Sequence, residues 1–569
     1  MKREKIYYFF LPVAIVVLYI YQYMKINVNL DSIYDEGFIF LKQQVIGINS
    51  VDKGSLFPVI INSLFGKEIT SSLLYLRYVR FFVHFLSVIL FAFLSSWYLF
   101  KKGILDSFER KVLFPSLLFL MGNLALGGIV ISYNTLQEFF LLVVIGCFLV
   151  TNVTSSRNSI FLFILIGFFS FFSIMTILPS GLLVLACVIS LIWIKNCREW
   201  KTGLIFTLSL LSGLFLSLLF FQFFIFDLRT VYSGMTKTAV SITTLDRGYD
   251  PLSFLIKIIL YFRDFFIATC LLLGISLIAM LIRKYSNRWV AALIFLVSML
   301  TISIYQKKPE IVFTNFLAFP IIILFIVILF ETPKFNRQKL FSYKILYHLF
   351  LFFLPLISSI GTNVYLGTKM ICFILPWGVL LMEIMCNDVI KNKYAKEIRF
   401  LIFFFILLNV IQPIQSMVHD AKNREYEKLY FNKEKPISQI QLSAHQKEYF
   451  EKVYKIMKRY GYKRKDLIFS TQLDQMTIVA FDGTPCGLYF QPMDYMADVN
   501  KFFLPKPDFI FLTEFDLSLI NNSLHLQKWS FPHGYDRFFV GSPQEKTETT
   551  YSTDRWLYCA KNKIISTMR

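Results

Sequence analysis

The sequence predicts a polytopic α-helical membrane protein of about thirteen transmembrane helices, followed by a separate soluble α/β domain. Three observations carry that expectation. The 569 residues are 56% hydrophobic and only 17% charged, with mean hydropathy +0.58, which leaves too little charge to solvate a water-facing exterior. Apolar runs of roughly 17–25 residues recur through the first three quarters of the chain, the length a helix needs to cross about 30 Å of hydrocarbon. The Lys and Arg that give a net charge of +21 fall between these runs and chiefly on one side of them. That placement turns a balance that would suggest nucleic acid in a soluble chain into a topological signal, and nucleic acid is excluded as a partner.

In order, the runs lie near 6–24, 80–100, 112–132, 138–151, 159–177, 181–195, 202–225, 265–282, 289–305, 311–330, 345–361, 371–385 and 400–416. The stretch 159–195 is divided at Pro179-Ser180-Gly181, a turn triplet that interrupts an otherwise continuous apolar run. With Lys2, Arg3 and Lys5 inside, the cytoplasmic loops carry a net +14, the exterior loops +3 and the tail +4. The first run follows a basic segment but is too long for a cleaved signal and lacks a small-x-small site before Lys25, so an anchor is expected. The expected location is a bacterial plasma (inner) membrane, multi-pass, with the N-terminus cytoplasmic and the C-terminal domain exterior.

Residues 1–416 therefore form the transmembrane domain and 417–569 the exterior α/β domain. In the tail, a basic amphipathic helix from Ala444 to about Tyr460 stops at Gly461, and strands are expected at Leu467-Ile468-Phe469, Phe509-Ile510-Phe511-Leu512 and near 487–490, 538–540 and 556–559. Of the eight cysteines only Cys486 and Cys559 lie outside the spans, and both a disulfide and two free thiols stay open.

The exterior loop 25–79 holds the candidate chemistry. Tyr34-Asp35-Glu36 follows the first span, Asp52-Lys53-Gly54 comes later, Asn62-Ser63-Leu64-Phe65-Gly66 forms a turn-like segment, and Arg77 and Arg80 open the second span. Acids near a membrane surface are costly when desolvated, so they face water or serve chemistry. For Lys53 and the arginines the alternative role is interfacial snorkelling.

This order of residues resembles the large membrane glycosyltransferases of the protein O-mannosyltransferase and lipid A aminoarabinose transferase clan, the GT-C fold. The resemblance covers the first loop closely and the rest of the chain in architecture. It implies a glycosyltransferase that moves a hexose or pentose from a polyprenyl-phosphate donor to a lipid, glycan or protein acceptor hydroxyl, with membrane lipids around it. Asp35 would be the general base, taking the proton from the hydroxyl as it attacks and inverts the anomeric carbon. Glu36 is the second choice. Lys53, and Arg77 or Arg80, would stabilise charge on the departing phosphate.

The chain departs from the clan in two places. The short loop after the third span reads Ser132-Tyr133-Asn134-Thr135-Leu136-Gln137-Glu138 in place of an early acid, with Asn134 and Glu138 as substitutes and Tyr133 beside them. The turn Thr176-Ile177-Leu178-Pro179-Ser180-Gly181 lacks the lysine that aminoarabinose-transferase relatives carry. Thr362, Asn363 and Lys369, in the loop between the eleventh and twelfth spans, could line the pocket, with Lys369 as a further phosphate cation.

The loop 227–263 reads as a flap or a plain connector. His84 and His348, inside spans, read as structural. No cofactor is assigned; the first loop could offer a carboxylate to a divalent cation, but no second ligand set is evident. The runner-up function is a transporter or lipid flippase of the cell envelope, which the nearly uncharged span interiors disfavour.

Overall fold

The computed structural model describes chiefly residues 57–70, 72–105, 114–125, 132–225, 343–360, 370–385, 426–428, 441–470, 475–485, 507–513, 534–542 and 554–561, with scattered positions around 12–26 and 227–263. The described part is mostly helical and ends in an α/β sheet region. The expected spans at 265–282, 289–305, 311–330 and 400–416, most of loop 227–263, the loop 361–369 and the strand near 487–490 lie outside the described residues.

In chain order the membrane part comprises α1 (Phe57–Thr70), α2 (Leu73–Lys101), α3 (Phe114–Ala125), α4 (Tyr133–Thr151), α5 (Ser156–Thr176), α6 (Leu178–Lys195), α7 (Trp200–Phe220), α8 (Tyr343–Ser358) and α9 (Leu375–Met385). Among the described residues, five helices are long and apolar enough to cross a membrane: α2, α4, α5, α6 and α7 extended by its π turn Phe221–Ile225. Their outer faces carry large apolar side chains, Phe82 and Phe93 on α2 and Leu208 and Phe215 on α7, each more than half exposed. Such faces are unfavourable in water and suited to lipid, so the chain is a membrane protein.

α4 is the central helix, buried along almost its whole length and apolar all round beyond its first turns. It packs against α2 and α5, while α5 also packs on α7 and α6, α8 on α6 and α9, and α9 on α3. Apolar attraction between helices is weak in lipid, so close contact depends on small residues. Gly167 of α5 and Gly213 of α7 meet reciprocally: a Cβ at either would collide with the backbone of the other helix, at Leu210 and Ile164. Ser170 and Ser209 are buried on the same two helices.

The helix starts differ from the expected spans. α2 begins at Leu73 and α4 at Tyr133, several residues earlier than the apolar runs suggested, because polar residues in their first turns are packed inside. α1 occupies part of the expected loop 25–79, with Gly66 at φ +78 breaking its course, a backbone conformation that glycine adopts at little cost. α5 and α6 part at the extended Ile177, and Pro179 sits in the first turn of α6, where its missing N–H is not needed.

The tail contains β1 (Tyr426–Lys428), β2 (Gln441–Ser443), α10 (Ala444–Arg459), β3 (Leu467–Ser470), α11 (Gln475–Ala480), β4 (Thr484–Pro485), β5 (Phe509–Thr513), β6 (Tyr535–Gly541) and β7 (Arg555–Ala560). β1 pairs antiparallel with β2; the other five strands form one sheet in the order β4-β3-β5-β7-β6. β3 is parallel to β4 and β5, and β7 is antiparallel to β5 and β6. Every residue of β5 is buried, as expected of a strand covered on both faces. α10 is capped by the Ser443 hydroxyl, ends before Gly461 at φ +71, and buries Tyr449, Phe450, Val453 and Met457. Cys559 is a buried free thiol whose pKa burial raises; Cys486 lies outside the described residues.

Tyr460 donates to Asp536 Oδ2 at 2.7 Å, and Lys561 Nζ lies 3.2 Å from the other oxygen. That hydrogen bond, then the lysine, holds the Asp536 carboxyl below its ordinary range; burial first, and then Asp536, raises the Tyr460 phenol. A depressed carboxylate pKa gives stability that is present above the unfolded value, about 3.9, and lost as pH falls through the folded value. Asp536→Asn is therefore expected to lower the unfolding temperature of the tail in the intact protein at pH 7, with the gap to wild type closing as pH falls below that range. A gap independent of pH contradicts the linkage. In the membrane part, Gly213→Val is expected to cost about 1–3 kcal/mol through overpacking, read as a lower thermal midpoint in detergent; an unchanged midpoint contradicts the close α5–α7 contact.

Candidate functional site

The N-terminal turns of α2, α4 and α6 converge on one face of the bundle. Arg77, Arg80 and His84 follow one another at helical spacing on α2, and all three are buried. Asn134, Gln137 and Glu138 occupy the first turns of α4, with Gln137 and Glu138 buried. Ser180 lies in the first turn of α6, also buried.

His84 Nδ1 lies 3.1 Å from both oxygens of Glu138 and is hydrogen-bonded to Oε2. A carboxylate only accepts, so Nδ1 carries the proton and Nε2 is left as the outward nitrogen of the ring. Gln137 Nε2 donates to Ser180 Oγ at 2.8 Å, and Ser180 donates to the Ile177 carbonyl oxygen at 3.3 Å. This contact stands at the turn between α5 and α6. Arg77 Nη1 donates to the Ile26 carbonyl oxygen at 2.7 Å, which ties the root of the first loop to α2.

Several buried polar atoms here have no hydrogen-bond partner among the described residues: His84 Nε2, Glu138 Oε1, Gln137 Oε1, Asn134 Oδ1 and Asn62 Oδ1 of α1. Four of the five are oxygen acceptors. Buried acceptors without donors are costly, and a ligand or water rich in O–H groups relieves that cost. Arg77 and Arg80 add two permanently protonated guanidinium groups on α2. The arrangement can therefore accept hydrogen bonds from hydroxyls, attract an anion and hold a proton on an imidazole supported by a carboxylate.

The expected site residues divide as follows. Arg77, Arg80, Tyr133, Asn134 and Glu138 lie on the neighbouring first turns of α2 and α4, with Glu138 reaching α2 through His84. Tyr34, Asp35, Glu36, Lys53, Thr362, Asn363 and Lys369 lie outside the described residues. Burial of Arg77 and Arg80 is at odds with the snorkelling alternative, in which the heads would reach the interface. The sequence reading took His84 as structural and did not single out Gln137 or Ser180 as site residues. The available signal was spacing: His84 stands four residues after Arg80 and seven after Arg77, on one helix face. Among the described residues no three His, Cys, Asp or Glu side chains form a metal set, and His84 and Glu138 are turned to each other.

No protein family matches this chain, and no curated protein does. Among solved structures it is similar to the oligosaccharyltransferase of Archaeoglobus fulgidus, determined in complex with Zn and sulfate. The identity is 10% and the TM-score 0.42, over 93% of this chain and 72% of that one.

The His84–Glu138 contact makes a stability prediction. Glu138→Leu or His84→Leu alone leaves a buried polar partner stranded and is expected to cost about 3–5 kcal/mol, while the double Leu variant recovers most of that loss. A double-mutant cycle on thermal or denaturant unfolding checks this. A coupling below about 1 kcal/mol contradicts a buried pair.

Proposed function

We propose that the protein is a membrane glycosyltransferase that moves a sugar from a polyprenyl-phosphate donor to an acceptor hydroxyl on the exterior side. Asp35 takes the hydroxyl proton as the oxygen attacks the anomeric carbon, with Glu36 as the second choice. The bond from that carbon to the phosphate oxygen breaks, its electron pair stays on the phosphate, and the centre inverts. Lys53, Arg77 or Arg80, and Lys369 stabilise the departing phosphate, where fixed cations in a low-dielectric site act strongly.

The observation that carries this reading is the burial of Arg77 and Arg80 at one end of the bundle, beside a helix whose first turns leave acceptor atoms open. Two cations suit a phosphodiester, and open acceptors suit sugar hydroxyls. Arg77 also holds the Ile26 carbonyl, nine residues before Asp35, so the loop acids are tethered within roughly 30 Å of that bond. The acceptor is a lipid, glycan or protein hydroxyl, and no metal has a role in the steps given.

A transporter or lipid flippase is the second reading. The observation favouring it is the buried His84–Glu138 pair, because ionisable pairs inside a membrane domain often mark proton or ion paths.

Transfer from polyprenyl-phosphate sugars, assayed as release of polyprenyl phosphate by the purified protein, separates the two. Asp35→Asn is expected to lower kcat at least about a hundredfold with the protein still folded, the scale of a lost general base. Lys53→Ala and Arg77→Lys are expected to lower it as well. Full activity in Asp35→Asn removes Asp35 as the base; substrate counterflow in vesicles without donor cleavage favours the transporter.

A further inference from the structure

Among the described residues two buried histidine–carboxylate pairs differ in what they leave over. Glu383 of α9 accepts from Lys102 at 2.7 Å, from His348 Nε2 at 2.8 Å and from the Tyr98 hydroxyl, so that carboxylate is fully engaged. In the other pair His84 Nδ1 gives its proton to Glu138. Nε2, on the opposite edge of a side chain only 1% exposed, has no hydrogen-bond partner among the described residues. No step of the sugar transfer given above uses that nitrogen.

Arg80 stands four residues before His84 on the same face of α2, about 6 Å along the axis, so a phosphate met by its guanidinium lies within reach of the imidazole. Arg77 is about 10 Å away, and its Nη1 is given to the Ile26 carbonyl oxygen. An imidazole that donates at Nδ1 presents a lone pair at Nε2, and a lone pair repels a phosphate oxygen. The contact forms only when Nε2 gains a proton from water, and the imidazolium then stands between two anions, Glu138 on one edge and the phosphate on the other. Histidine is the side chain whose ordinary pKa, about 6.5, makes such a gain available near neutral pH.

The charged and titratable surroundings are Glu138 on α4, Arg80 on α2 itself and Tyr19. Tyr19 packs edge-on against Phe81 and Phe85, feels the charge of Glu138 and donates its hydroxyl to the Phe119 carbonyl oxygen at 3.3 Å. α3 carries no titratable side chain, the described side chains of α1 carry none, and Glu383 of α9 belongs to the other cluster.

We propose, resting on the sugar-transfer reading, that His84 is a further ligand of the donor phosphate: Nε2 takes a proton from water as the phosphodiester binds and donates it in a hydrogen bond to a phosphate oxygen, while Glu138 holds the ring through Nδ1. The same N–H faces the negative charge that grows on the phosphate as the sugar leaves, where a charge-assisted donor is strongest.

Isothermal titration calorimetry of the full-length protein in detergent tests this with methyl farnesyl phosphate, a prenyl phosphodiester of fixed single charge. Run at pH 7.5 in two buffers of different ionisation enthalpy, it counts the protons taken up on binding. Wild type is expected to bind with net uptake of up to one proton per ligand. His84→Asn, whose amide N–H replaces Nδ1–H toward Glu138 while nothing replaces Nε2, is expected to bind about tenfold more weakly and without uptake. Glu138→Gln, which keeps an acceptor for Nδ1 and removes the charge, is expected to lower both, and serves if His84→Asn fails to fold. Binding by wild type without uptake, or uptake unchanged in the variant that folds, overturns the role of His84 and leaves the phosphate site standing. No binding by wild type overturns both.

Discussion

A carboxylate enclosed by apolar helices must find its partners within the protein, because lipid offers none and a stranded charge costs several kcal/mol. α2 meets that constraint in two places. About three turns in, His84 faces Glu138 of α4; near its finish Tyr98, with Lys102 just past the last turn, faces Glu383 of α9. His84 and Tyr98 stand fourteen residues apart, about 21 Å along the helix, so one rod fixes the two polar clusters relative to each other. Apolar packing fills the span between them, with Val88 against Gly122 of α3 and Leu94 against Gly146 of α4.

The two clusters are satisfied to different degrees, and that difference separates structure from candidate function. Glu383 has partners on both oxygens from a lysine, a histidine and a tyrosine, and these contacts join α2, α8 and α9. A saturated carboxylate holds helices together and has little capacity left for a ligand. Around Glu138, one carboxylate oxygen, the outer imidazole nitrogen and the amide oxygens of Asn134 and Gln137 have no hydrogen-bond partner among the described residues. Buried groups left without hydrogen bonds call for an explanation, and a ligand or ordered water is one.

The interiors of the helices and the strands of the tail were legible in the sequence because both rest on apolar runs. Phe509 to Leu512 and Leu467 to Phe469 read as strands and are strands, and Gly461 ends α10 as expected. The beginnings of α2 and α4 were not legible. Arg77, Arg80, Gln137 and Glu138 interrupt the apolar signal, yet they lie inside the bundle because each has a partner there. Hydropathy scores each residue alone and cannot register pairing between residues 84 and 138. For the same reason His84 and His348 read as plain structural residues, although each contacts a buried carboxylate on another helix. The short β1, β2, β4 and α11 fell below the length at which a pattern stands out.

The central claim is that the open acceptors in the first turns of α4, together with Arg77 and Arg80 of α2, mark the sugar-transfer end of the bundle. Photocrosslinking with a diazirine-bearing polyprenyl phosphate, followed by peptide mapping of the full-length protein, tests it most directly. The account predicts adducts on the first turns of α2 and α4, suppressed by unlabelled polyprenyl-phosphate sugar. Adducts confined to the lysine-rich ends of α2 and α6, or insensitive to that competitor, would contradict it.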